Sequence, residues 1–426
     1  MKEKLIVGYD LGNLYSQISY YMAGSDAPET LSMVTGEECY NIPTALCKRQ
    51  GVNQWFYGRD AYKHAEEEEG FLLTDLVNLA RKGESVWIEE EEFDPVALLT
   101  LFVKRSMALL ALVQMPEKID ALMITCDHLD GRMVEILNQV VAGLSLRTKT
   151  VFFQGHEESI YAYILRQPEE LWKRQVLVCD YNADVIRCYH MECNRRTTPV
   201  VAFVEETEHT VLHCGTLPED EELRAGQLKR MDEQFLNVMK KECEERMITS
   251  VYLLGEGFSE DFMEESLRYL CRSRRVFQGN NLYSKGACYG MRDKLAPDEL
   301  AQGHVFLGRE KLKANIGMRA LRQGEESYHA LLDAGVSWFE ARSSLEFYLP
   351  EGNTFSLVIT PLNGRDIKSA QVTLEGLPLR EGAASRLHMD IGMTSENDIV
   401  LEIEDLGFGE LFPPSDQKWT ESFEVV

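Results

Sequence analysis

Two stretches of this chain repeat one design. LIVGYDLGNLYSQISYYM at 5–22 and VLVCDYNADVIRCYHM at 176–191 each read as apolar strand, tight turn, apolar strand. Apolar runs on both sides of a short polar break are the mark of a β-hairpin. An aspartate ends the first strand of each: Asp10 before Gly12, and Asp180 before Tyr181-Asn182-Ala183. A third element, LLGEGF at 253–258, follows a strand and opens a helix. Two facing hairpins can clamp a phosphate chain between backbone N–H groups, and their aspartates can hold a magnesium ion through water. A glycine turn ahead of a helix lets a nucleoside approach the backbone. Any one of these signals arises often by chance; their order along one chain carries the reading.

Around the hairpins, strands and helical patterns alternate, which indicates an α/β fold. Residues 95–112 are apolar enough for a largely buried helix, 121–126 and 150–153 read as strands, and 133–144 reads as a helix. His156 to Leu165 starts a helix with carboxylates in its first turn, where the helix dipole favours them. A strand over 200–204, a charged helix over about 220–246 and a strand–turn–helix over 248–270 follow. Near Lys313 the character changes. Strand candidates at 344–348, 354–359, 370–374, 386–391 and 398–403, separated by turns such as Glu351-Gly352-Asn353, Asn363-Gly364 and Glu375-Gly376, fit a compact antiparallel β-sandwich. Residues 410–426 are expected to fray or pack as an edge.

The 426 residues suggest two or three domains. With 70 acidic against 44 basic residues the formal net charge is −26. Such a surface repels polyanions, so neither nucleic acid nor an anionic membrane is an expected partner. The acidic runs Glu66–Glu69 and Glu89–Glu92 read first as solvated faces and second as a docking site for a basic partner. The ten cysteines include no C-x-x-C pair, which argues against zinc and for a reducing compartment. No apolar run is expected to reach the roughly 18 residues of a membrane helix. The opening residues lack a signal-peptide pattern, so the expected location is cytoplasmic.

Taken in order, these segments resemble the 70-kDa heat-shock chaperones of the actin-like ATPase superfamily. VGYDLGNLYSQISYY resembles the first phosphate motif and VLVCDYNADVIRCYHM the second; VYLLGEGFSEDFMEESL and NNLYSKGACYGM resemble the adenosine motif and the helix after it. VTLEGLPLREGAASRLHMDIGM resembles part of the family's substrate-binding β-subdomain. The resemblance implies a two-lobed actin-like (ribonuclease H-like) domain over about 1–312, with lobes 1–172 and 173–312, then a β-sandwich over 313–426. It implies Asp10, Asp180 and Glu157 as catalytic groups, with Asp10 and Asp180 holding Mg through water. Gly12, Asn13, Leu14, Asn182, Ala183, Gly255, Glu256 and Gly257 would meet ATP, and the β-domain would meet a protein or peptide partner.

The departures fall on the chemistry. Asn13 and Leu14 stand where the family has two threonines, and Asn182-Ala183-Asp184-Val185 replaces its glycine triplet and threonine. Asp184 adds negative charge beside the phosphates. Gly155-His156-Glu157-Glu158 replaces the Glu-Pro that opens the connecting helix; Glu157 would serve in a shifted register, and His156 reads first as a cap or a packed residue and second as an acid–base group. Lys82 is the nearest counterpart of the family's phosphate lysine, and the helical lid has no counterpart. The expected function is therefore a chaperone-like protein with weak or lost ATP binding and hydrolysis, acting through protein contacts. The alternative is an active ATPase chaperone whose lobe closure controls the β-domain; a filament former and a sugar kinase rank lower.

Overall fold

The computed structural model describes residues 5–22, 24–34, 36–67, 70–113, 119–215, 217–279, 281–322, 324–362, 367–378, 385–410, 412–415 and 417–425. The chain is mixed α/β and divides into two compact units, residues 1–305 and 306–426.

The larger unit contains the same sheet twice. In the first, the strand order is Val151–Gly155, Ala121–Cys126, Leu5–Leu11, Tyr15–Met22, Glu29–Thr30, with Ile42–Pro43 also pairing with Tyr15–Met22. In the second it is Arg275–Gln278, Ile248–Leu254, Gln175–Asn182, Val185–Asn194, Val200–Thr210, His304–Phe306. Each sheet places a hairpin at its centre and a parallel strand against the hairpin's first arm. Each is followed along the chain by the same sequence of helix, strand, helix, strand, helix. These are Pro95–Met107, Gly131–Leu144 and His156–Leu165 for the first sheet, and Glu221–Cys243, Glu264–Leu270 and Leu282–Leu295 for the second. The strand Val200–Thr210 runs well past the 200–204 that its apolar residues mark, because His209 and Glu208 continue the ladder opposite Ile186 and Arg187.

Local chemistry starts the helices where the sequence allows. Asp94, Asp130, Asp220 and Asp298 each occupy an N-cap and accept a bond from an N–H of the first turn, worth about 1 kcal/mol apiece. Pro95 at the first helical position needs no donor. Pro95–Met107 continues as a tight turn to Leu112, giving 18 residues of mean hydropathy 1.7. That reaches the length and composition of a membrane span, contrary to the sequence expectation. Half of this segment is buried within the protein, and Leu98, Leu99, Phe102 and Val103 form part of its core.

The terminal helices of the two repeats, His156–Leu165 and Leu282–Leu295, pack against each other. Gly286 permits this: a Cβ there would stand 2.1 Å from the carbonyl oxygen of Ser159. Ile160, Ile164, Leu165 and Leu282 are buried around the contact, each contributing roughly 1.5–3 kcal/mol. The contact brings the first residue of one helix, His156, close to Tyr283 on the other.

The smaller unit has two four-stranded antiparallel sheets. Their orders are Glu325–Leu332, Ala314–Arg322, Thr354–Pro361, Lys368–Thr373, and Arg342–Leu349, Ser385–Met393, Asp398–Asp405, Lys418–Glu424. Alternation supplies one core, with Leu357, Ile359 and Val372 from one sheet and Leu387, Met389, Ile391, Ile399, Leu401 and Ile403 from the other. Within 410–426, Lys418–Glu424 is an edge strand. The Asn363-Gly364 turn lies outside the described residues.

Candidate functional site

Both hairpin turns open onto one cleft of about 560 Å³, whose lining includes Asp10, Gly12, Asn13, Leu14, Asp180, Asn182, Ala183 and Gly255. Sequence alone had placed these side by side only through their order. Asp10 ends a strand buried on both faces and is itself only 7 % exposed. Its carboxylate is met by the neighbouring helix: His156 Nε2 lies 2.8 Å from Asp10 Oδ1. The His156 ring stacks on Tyr283, centroids 3.8 Å apart and planes 8° from parallel. The Tyr283 hydroxyl donates to Asp180 Oδ2 at 3.0 Å, and Asn182 Nδ2 donates to Asp180 Oδ1 at 2.6 Å.

A second route joins the hairpins. Gln17, opposite Asp10 in the register, donates to Asn41 Oδ1 at 2.5 Å, and Asn41 donates to Glu256 Oε1 at 2.5 Å. The Glu256 backbone N–H donates to Asn182 Oδ1 at 3.1 Å. The two routes form a ring of contacts, closed by the Glu256 backbone N–H and by the pairing of Asp10 with Gln17, that runs from the first hairpin to the second and back. Asp10 and Asp180 are therefore bound to side chains across the cleft rather than acting as local caps.

The electrostatics follow from burial. Burial opposes a charge on His156, yet Asp10, through both its charge and its hydrogen bond, together with Asp127 and Asp180, raises the imidazole above its ordinary pKa. Burial pushes the Asp180 carboxyl up, opposed by the His156 charge and the Tyr283 bond and assisted by Asp10 and Asp127. Burial and Asp180 hold the Tyr283 phenol well above its usual range, so it stays a donor.

Cations at the cleft are already paired. Arg187 stands opposite Asp180 in the hairpin register. Its Nη1 is 2.5 Å from Asp127 Oδ2, and its Nε is 3.3 Å from Glu208 and 3.8 Å from Glu206. Arg81 donates to the His128 carbonyl at 3.1 Å and to Asp130. Asp127, His128 and Glu206 bring ligand atoms within 4.8 Å of one another, the spacing of a metal-binding group. The Arg187 guanidinium is paired with two of them.

Other expected residues fall differently. Glu157 is buried and does not line the cleft, where the preceding residue, His156, takes the position beside Asp10. His156 is thus a packed residue, as its sequence context indicates, but its packing is an ion pair. Asn13 is bound to Asp75 and accepts the Asn78 N–H at 3.3 Å, which ties the first turn to the helix Leu76–Lys82. Leu14 is half exposed at the cleft wall. Ala183 adopts φ +53°, the left-handed region in which an L-residue is strained. Gly255 has φ +96°, and a Cβ there would come within 2.3 Å of the Tyr181 carbonyl oxygen. Gly257 lies under the Tyr181 ring and is not part of the lining. Lys82 does not line the cleft; its neighbour Arg81 does.

Tyr283, Asp127, Gln17, Asn41 and Arg187 were not visible as site residues in the sequence. For Gln17 and Arg187 a signal existed: counting back from each hairpin turn places them opposite Asp10 and Asp180. For Tyr283, Asp127 and Asn41 only folding supplies the neighbour.

Among known protein families, a model described as the C-terminal part of a family of unknown function (DUF5716) matches residues 27–309. A second, a domain of unknown function (DUF8552), matches residues 311–425. No curated protein matches significantly.

Proposed function

The chain belongs to the DUF5716 family of unknown function, and we propose that its larger unit is a degenerate actin-like nucleotide domain that acts through protein contacts rather than by hydrolysing ATP. The twice-repeated sheet, with a hairpin of each copy facing one cleft, supports the actin-like part of this reading. The ring of contacts across the cleft, with His156 bound to Asp10, is the observation that carries the loss of activity.

Magnesium triphosphate does not fit the residues present. One oxygen of Asp10 is bound to a buried imidazole, and Asp180 accepts bonds on both oxygens. Among the described residues no lysine lines the cleft, and both arginines that do are bound to carboxylates. Asp184 adds negative charge to the lining, while the Asp127 charge is offset by Arg187. An uncompensated pair of like unit charges ~6 Å apart costs about 3 kcal/mol at an effective dielectric constant of ~20. Ala183 carries a Cβ where a glycine would let a phosphate reach the backbone.

In this reading the cleft serves as a clasp that holds the two repeats in a fixed relation, and the β-unit supplies the surface for a protein or peptide partner, in the manner of a chaperone. Calorimetric titration with Mg-ATP is expected to show weak or no binding, and steady-state hydrolysis is expected to stay at background. Micromolar binding, with turnover that disappears in Asp10→Ala, would instead establish the active ATPase chaperone.

A further inference from the structure

A small three-stranded sheet near the start of the chain ends in open edges, one of them the strand Gly70–Leu73. Its order is Trp55–Tyr57, Leu46–Arg49, Gly70–Leu73, and no described strand pairs with the outer edge of Gly70–Leu73. Edge strands in soluble proteins are commonly blunted with lysine, proline or a bulge. This one carries none of these, and Phe71 and Leu72 are 40 % and 37 % exposed.

An acidic hairpin lies near that edge. Lys48 stands opposite Trp55 on one side and Phe71 on the other, so the three side chains share a face of the sheet. The hairpin of Val86–Ile88 and Glu91–Phe93 crosses this face: Phe93 sits edge-on to Trp55 at 5.3 Å, and Glu89 and Glu91 lie 3.2 and 3.5 Å from Lys48 Nζ. The hairpin therefore runs from Trp55 to Lys48, with its glutamate tip over the central strand, one strand away from Gly70–Leu73. Glu89, Glu90, Glu91 and Glu92 are all exposed, and Lys48 is a single positive charge among four negative ones.

We propose that the open edge of Gly70–Leu73 takes up an extended, basic segment of a partner protein by strand addition. The free N–H and C=O groups of the edge bind the segment's backbone, Phe71 packs against an apolar side chain, and the glutamate tip receives its lysines or arginines. Charge decides against a second copy of this chain as the occupant: at −26 apiece, two copies repel, and each brings its own glutamate tip. The inference is independent of what the nucleotide cleft does.

The test uses the full chain and a blocked octapeptide, Val-Thr-Lys-Thr-Val-Thr-Lys-Thr, whose valines and lysines share one face of an added strand, followed by amide hydrogen exchange and by titration calorimetry. Slowed exchange over 70–73 is expected, with binding at least about tenfold weaker in Phe71→Lys and in the double charge reversal Glu90→Lys, Glu92→Lys. All three positions are exposed or free of the Lys48 pair, so circular dichroism and melting should match the parent. The same octapeptide with glutamate in place of each lysine should not bind. Equal binding of the two peptides, protection elsewhere in the chain, or undiminished binding by Phe71→Lys would overturn the proposal. Self-association that protects 70–73 without any peptide would do the same.

Discussion

Replacing His156 by glutamine tests the clasp at its centre. Asp10 is 7 % exposed and His156 equally so, and their contact is 2.8 Å. Removing one partner of a buried ion pair costs about 3–5 kcal/mol, because the other charge is left without compensation. Loss of the stacked Tyr283 contact adds about 0.5–1.5 kcal/mol. Asp10 lines an open cleft, so water recovers part of its solvation and the lower ends apply: about 3.5 kcal/mol in all. For a unit of residues 1–305, unfolding entropy at ~2.1 cal/mol/K per residue gives a Tm about 5 °C lower.

The pH dependence has a defined sign. His156 has a raised pKa in the folded protein, so its contribution is fully present below the unfolded value near 6.5 and is lost as pH rises through the folded value. The gap in Tm between the parent and His156→Gln should therefore be widest near pH 6 and narrow as pH climbs above that. Differential scanning calorimetry across pH 6–9 reads this directly. The double variant Asp10→Asn, His156→Gln should be more stable than the sum of its single effects by about 1.5–3 kcal/mol, the range for a hydrogen bond to a charged group. If His156→Gln melts with the parent at every pH, or the two substitutions are additive, the ion pair is not what closes the cleft.

Two further substitutions test the surroundings. Ala183→Gly removes left-handed strain at the second turn and should stabilise the protein by about 0.5–1 kcal/mol in urea unfolding, the strain relief exceeding the added chain entropy. A second buried pair sits at the end of the helix Glu221–Cys243, where Glu242 bonds His190 and His209 at 2.6 Å each. Burial raises the Glu242 pKa, but these two bonds outweigh it and hold the carboxyl down to about 2. Its stabilising contribution is thus present above the unfolded value near 4.5 and is lost as pH falls toward 2. Glu242→Gln should flatten the acid limb of the stability profile over that interval, as followed by circular dichroism.

Amino-acid order alone determined the local parts of this protein. The two hairpins are legible because apolar runs flank Gly12-Asn13 and Ala183-Asp184, and the helices over 95–112 and 133–144 because their apolar residues fit a helical period. The alternating strands after Lys313 are legible for the same reason, since side chains on a pleated strand point to opposite faces with a period of two. The strand 200–210 is less so, because its second half is polar on both faces and is held by ladder bonds instead of burial.

Only the tertiary structure decided what the aspartates do. Asp10 and His156 are far apart in the chain, and Tyr283 lies on a third segment; nothing local distinguishes an aspartate that awaits a metal from one bound to an imidazole. That choice was made by the close approach of two helices at Gly286, which sets the His156 ring on Tyr283 and aims its Nε2 at Asp10. Charge pairing depends on distances of a few ångströms, and such distances exist only once the two sheets have packed.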